Sequence, residues 1–146
     1  MELTTDQKGT IAETAVIHAV AKLDVPVLRP LNDGLRYDLL FDVAGRFLRI
    51  QCKWAPLIGD VVIVRCYSCR RGRDGLLRRA YTADELDALA AYCPQLERCF
   101  LLPLCAFPAR KQIQLRVRPT RNNQATGINW ADEFDFAATL TRLVGP

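Results

Sequence analysis

Asp38, Gln51 and Lys53 are the residues of this chain whose types and spacing could do chemistry, with Glu13 upstream as a second carboxylate. An acid, an amide and a lysine meeting at a strand end could hold a divalent metal and a phosphate. Carboxylates are hard oxygen ligands for such an ion, and an amide oxygen is an uncharged one. A lysine brings a compact positive charge to a phosphate or to charge developing on it.

Two short apolar runs must position these groups. Tyr37-Asp38-Leu39-Leu40-Phe41-Asp42 is followed by Phe47-Leu48-Arg49-Ile50-Gln51-Cys52-Lys53-Trp54, and Ala44-Gly45 between them reads as a hairpin turn. A strand has a period of two, so Leu48, Ile50, Cys52 and Trp54 face one side while Phe47, Arg49, Gln51 and Lys53 face the other. Gln51 and Lys53 therefore share a face, and a short hairpin lets Asp38 lie beside them.

Thr4-Thr5-Asp6 opens a helix expected to run to about Leu23, with Ala12, Val16, Ala19, Val20 and Leu23 forming its inward stripe. Glu13 is one residue off that stripe. An unpaired carboxylate there would be costly, so a metal ion or Lys53 is expected to pair it. The plainer reading is a boundary glutamate that reaches out to water. His18 lies well around the helix from Glu13, so the two are not expected to form a ligand pair.

The segment Arg70-Arg71-Gly72-Arg73-Asp74-Gly75-Leu76-Leu77-Arg78-Arg79 sets five arginines against one aspartate, with two glycines, and reads as a flexible loop. Arginine forks match phosphate oxygens, which gives Arg70, Arg71, Arg73, Arg78 and Arg79 a nucleic-acid reading. A solvated hairpin that keeps the protein soluble is the plainer one. Arg121, Asn122, Asn123 and Gln124 also have base-reading character, since arginine suits guanine edges and amides suit adenine; a turn-rich surface loop is the alternative. Cys66 and Cys69 have zinc-like spacing, but no second such pair accompanies them.

The remaining expectations concern architecture. Val25 to Arg29 reads as a short strand, and Val61 to Tyr67 as a third central strand buried on both faces. Thr82 and Glu85 form a capping box, predicting a helix to about Tyr92 with Leu86, Leu89 and Ala90 inward. Cys99 to Pro103 is a fourth strand, and Ile113 to Val117 a half-exposed strand near a sheet edge. Trp130 to Leu143 is helical in pattern, with Phe134, Ala138 and Leu143 packing.

With 146 residues, half of them apolar, the chain is expected to form one domain over residues 1–146 and not a disordered segment. No apolar stretch approaches the ~20 residues that cross a bilayer, and the N-terminus lacks a signal pattern, so a cytoplasmic protein without a membrane partner is expected. The six cysteines are then expected as thiols. A net charge of +4 is compatible with nucleic acid without requiring it.

The order of these groups, an acid on a first helix, an acid on a strand and Q-x-K on the next strand, resembles the PD-(D/E)xK restriction-fold endonucleases. More narrowly, it is similar to the group I intron-associated homing endonuclease branch, in which glutamine replaces the last acid. Further similarity lies in Tyr81-Thr82, Glu85-Leu86-Asp87, Tyr92, Phe100 to Pro103, Arg116 through Asn122-Asn123-Gln124, and Trp130-Ala131. One departure is that Pro30 lies eight residues before Asp38, not beside it.

The resemblance implies an α/β fold, a central mixed sheet flanked by helices. It implies a magnesium-dependent endonuclease of double-stranded DNA, with manganese as a possible substitute and cleavage at specific sites. Glu13, Asp38, Gln51 and the Cys52 main-chain carbonyl would be the metal ligands, and Lys53 would orient or deprotonate the attacking water or stabilise the charge on phosphorus. It turns the two basic segments towards DNA contact. Cutting both strands with one site per chain implies a homo-oligomer, a dimer or a tetramer. Two other readings stand: a structure-specific nuclease of the junction-resolvase or repair type, for which Gln51 is a poor fit, and a degenerate member that binds DNA without cutting.

Overall fold

The computed structural model describes residues 2–108, 110–122, 124 and 126–145, with backbone but not side chains at Arg70 and Arg71. Thr4 starts the first helix with the expected economy. Its Oγ1 accepts the Gln7 N–H at 3.1 Å and the Gln7 amide oxygen accepts the Thr4 N–H at 2.7 Å, a capping box that opens α1 (Thr5–Ala21). Ala12, Val16 and Val20 are buried as their spacing predicts. Leu23 falls outside the helix and is 37% exposed, because the chain turns through Asp24 in a left-handed conformation (φ 57°).

The chain then forms β1 (Val27–Leu28), β2 (Leu39–Val43), β3 (Arg46–Trp54), β4 (Leu57–Ile58) and β5 (Val61–Arg65). An arginine-rich hairpin follows, β6 (Tyr67–Gly72) and β7 (Gly75–Ala80), and then β8 (Ala88–Cys93), β9 (Arg98–Pro103), β10 (Gln112–Arg116), β11 (Asn129–Trp130) and α2 (Phe136–Val144). The five-stranded sheet has the order β1-β2-β3-β8-β9 and is mixed, with β3 and β8 parallel and its other pairs antiparallel. A four-stranded sheet, β11-β10-β5-β4, covers part of one face of it, and α1 and α2 cover the other. The expected α/β architecture, a central mixed sheet flanked by helices, is what the chain forms.

Alternation along the strands sends side chains into two cores. Leu48, Ile50, Cys52, Ala88, Ala90 and Leu101 pack under Val16, Val20, Phe136 and Leu140 of the helices. Leu89, Ala91, Phe100 and Leu102 pack on the opposite face against Val62, Val64, Ile113 and Leu115 of the second sheet. Each core removes large apolar side chains from water, about 1.5–3 kcal/mol for each one fully buried.

Several sequence expectations are corrected here. The helix from Thr82 to Tyr92 is not formed: Thr82 to Leu86 make a single turn, and Ala88–Cys93 is a strand between β3 and β9. It is β8, buried on both faces, that produces the unbroken apolar run. Val61–Arg65 instead alternates, burying Val62 and Val64, and belongs to the second sheet. The basic segment is not a loop but a paired hairpin, with Tyr67 opposite Ala80 and Gly72 opposite Gly75. The last helix is shorter than Trp130 to Leu143, because Asp135 caps it by accepting the Ala138 N–H at 3.3 Å. Phe136, Thr139 and Leu140 are its buried residues, while Ala138 is exposed.

Candidate active site

The β2–β3 hairpin turns at Ala44 (φ 53°) and Gly45 (φ 83°), both left-handed, the conformation a two-residue turn needs to match strand twist. The turn fixes a register in which Leu39 pairs with Ile50. Asp38 precedes this paired stretch and bonds to the two residues that flank Gln51. The Asp38 N–H donates to the Ile50 carbonyl at 2.8 Å, and its Oδ2 accepts the Cys52 N–H at 2.9 Å. The acid thus replaces the next rung of the ladder.

This arrangement decides where the Cys52 carbonyl points. Arg49 and Ala55 direct backbone groups towards the β8 side, bonding Asp87 and Tyr92, whereas the Ile50 carbonyl bonds Asp38 on the β2 side. Alternation along a strand therefore sends the Cys52 carbonyl to the β2 side, where that strand has already ended. Asp38 and Gln51 line one cleft of about 520 Å³, with Arg36, Ser68, Arg78, Arg79 and Tyr81 among its other walls. Asp38 also borders an adjoining cleft of about 230 Å³ that contains Glu13 and Arg29.

Among the protein's own side chains Glu13 pairs with Arg29 and not with Lys53. Arg29 Nη2 stands 2.5 Å from its Oε1, an ion pair in which the arginine side chain is 62% exposed. Lys53 instead donates to the Tyr67 carbonyl at 3.1 Å, and its Nζ lies 4.8 Å from the centre of the Tyr81 ring. Burial pushes the Asp38 carboxyl above its usual range; the Cys52 N–H opposes this, and the nearby Glu13 charge adds to it. Burial also lowers the Lys53 ammonium from its usual value, although Asp38 holds it back.

A half-buried carboxylate with a second acid nearby calls for a cation. Asp38, Glu13, the Gln51 amide and the Cys52 carbonyl form a donor set of oxygens, the type that suits magnesium or manganese. Among the described residues no three His, Cys, Asp or Glu side chains converge as metal ligands, so such an ion would have two carboxylates at most. Cys66 and Cys69 likewise gain no third such ligand among the described residues, and all six cysteines are free thiols.

A model of PD-(D/E)XK endonucleases matches residues 3–137. The chain belongs to the PD-(D/E)XK endonuclease family. It is accordingly a DNA nuclease, a hydrolase of a family whose members are generally dependent on divalent metals. Among solved structures, a bacterial homing endonuclease, I-Ssp6803I, is similar at 28% identity and a TM-score of 0.76, over 94% of this chain and 93% of the other. No curated protein matches the chain.

Of the candidate residues, Asp38 and Gln51 come together in one cleft, and Lys53 projects from the same face of β3 as Gln51. Arg78 and Arg79 form part of the cleft wall, and Arg73 is exposed at the hairpin turn. The side chains of Arg70 and Arg71 lie outside the described residues. The late loop is elsewhere: Gln124 lines a different cleft with Gln112, Gln114 and Arg116, Arg121 and Asn122 are exposed, and Asn123 lies outside the described residues. The sequence assigns no site role to Arg29 or Arg36, and it marks Tyr81 only as part of the family resemblance. Their contacts join segments far apart in the chain, and no local pattern marks them.

Proposed function

We propose that this chain is a magnesium-dependent endonuclease that hydrolyses phosphodiester bonds of double-stranded DNA at specific sites, in the manner of a homing endonuclease. The observation that carries this reading is the cleft shared by Asp38 and Gln51, walled by hairpin arginines. Acids and arginines side by side suit a phosphate held between a cation and guanidinium groups. Manganese would substitute for magnesium.

Asp38, Glu13, Gln51 and the Cys52 carbonyl would hold the ion. Bound there, it supplies Lewis-acid stabilisation for charge on the scissile phosphate. Glu13 would exchange its exposed Arg29 partner for this role, at little cost because such surface pairs contribute about 0–1 kcal/mol. Lys53 orients or deprotonates the attacking water, or stabilises charge on phosphorus, as one P–O bond forms and another breaks. Gln51 brings an oxygen without charge, so the site binds its ion more weakly than one with a third acid. Arg73, Arg78 and Arg79 contact phosphates, with Arg70 and Arg71 in the same hairpin. Cutting both strands takes two such sites, which makes a homo-oligomer, a dimer or a tetramer, the working form.

Cleavage of a random-sequence pool of linear duplexes with and without magnesium or manganese, with the cut ends sequenced, tests this reading, and a four-way junction is compared alongside. Magnesium-dependent cleavage of the linear duplex is expected. Binding without cleavage under either metal, or cleavage confined to the junction, would overturn it.

A further inference from the structure

The two ends of the arginine hairpin meet at Lys53. Tyr67 opens β6, and its carbonyl accepts the ammonium at 3.1 Å. Tyr81 directly follows β7, and its ring centre lies 4.8 Å from Lys53 Nζ. Arg36 grips the same ends. Its guanidinium lies 4.3 Å from the Tyr81 ring centre and donates to Ser68 Oγ at 2.9 Å and to the Ala80 carbonyl at 2.8 Å. Its Nε stands 3.3 Å from Glu85 Oε2 but is not aligned to hydrogen-bond with it. Tyr81 itself is 6% exposed, so its ring cannot drift.

An ammonium has three donors and no acceptor. One donor of Lys53 is committed to Tyr67, and a ring face offers diffuse negative charge to an ammonium without fixing a second donor. We infer that Tyr81 is a positioning residue whose ring face, braced by Arg36, holds the Lys53 ammonium towards the Asp38–Gln51 cleft, which rests on Lys53 acting there as proposed above. The hairpin that presents arginines to DNA is thereby also the mount of the lysine. Arg78, 5.2 Å from the Tyr67 ring centre, extends this link to the hairpin's exposed side. Tyr81 is also a member of the core beneath the second sheet, so a packing role alone must be distinguishable from this one.

The test is single-turnover cleavage of duplex DNA with magnesium by Tyr81→Leu, Tyr81→Met and Tyr81→Phe, with duplex affinity measured separately. Loss of a desolvated cation–π contact should slow the Leu and Met variants about 5- to 30-fold. Tyr81→Phe, which keeps the ring face, should stay within about threefold of wild type, and affinity should change by less than about threefold in all of them. If Tyr81→Leu does not fold, Tyr81→Met gives the same readout with a flexible side chain of similar bulk. Unchanged rates for Leu and Met, a loss confined to affinity, or a Phe variant as slow as Leu would each overturn the inference. Lys53→Ala is measured alongside. If it cuts at the wild-type rate, the role of Lys53 fails and Tyr81's with it; if it is inactive while Tyr81→Leu is normal, only Tyr81's role falls.

Discussion

Asp38 stands in for a strand rung: its Oδ2 accepts the Cys52 N–H at 2.9 Å, while its own N–H donates to the Ile50 carbonyl at 2.8 Å. One oxygen of the carboxylate is thus committed to the sheet and fixes the direction of the other. The acid is held against the residues that flank it in the cleft by backbone bonds rather than by a flexible ion pair. No ion pair joins Asp38 to Lys53 among the described residues, so the two are available to act on different atoms.

Asp38→Asn should stabilise the fold while destroying activity. Burial raises the Asp38 carboxyl above its ordinary value of 3.8, and Glu13 adds to that against the Cys52 N–H. A raised carboxyl contributes stability below the unfolded value, and that contribution is lost as pH rises through the folded value. Removing the charge should therefore raise Tm near neutral pH. The gain should fade below the ordinary value of 3.8. Calorimetry across pH checks this, and an equal or lower Tm at neutral pH would contradict it.

Gln51→Glu should change how the enzyme responds to metal. The new carboxylate would share the cleft with Asp38 and add one negative charge to the donor set. Half-saturation by magnesium should fall about tenfold, roughly the effect of one extra charge worth ~1.4 kcal/mol in a partly solvated site. Superimposable magnesium and manganese titrations for variant and wild type would remove Gln51 from the metal's surroundings.

Arg73→Ala should weaken DNA binding through electrostatics alone. Arg73 is exposed at the hairpin turn. If it neutralises one phosphate, the slope of log affinity against log salt should shrink by about one. Filter binding at several salt concentrations measures the slope, and an unchanged slope would mean that this arginine does not touch the backbone.

The faces of β3 that place the candidate site were legible, because a strand has period two. Leu48, Ile50 and Cys52 went inward and Gln51 and Lys53 to the other face, because one face of β3 meets the helices and the other meets the cleft. The segment after Thr82 was not legible. One real turn carries the Thr82–Glu85 signal, and β8 beyond it is apolar on both faces, so spacing at Leu86, Leu89 and Ala90 imitates a helix. The arginine hairpin hid for the opposite reason: β7 is exposed nearly throughout, so no alternation marks it as a strand. The partner of Glu13 was not legible, because Arg29 reaches it across the loop after α1, a contact that no local pattern encodes.

The most direct measurement is cleavage of duplex DNA with magnesium by purified Asp38→Ala and Lys53→Ala, each shown by circular dichroism to keep the wild-type fold. Both should fail to cut above background. Cleavage by either one at near the wild-type rate would contradict an active site built on the Asp38–Lys53 face of the sheet.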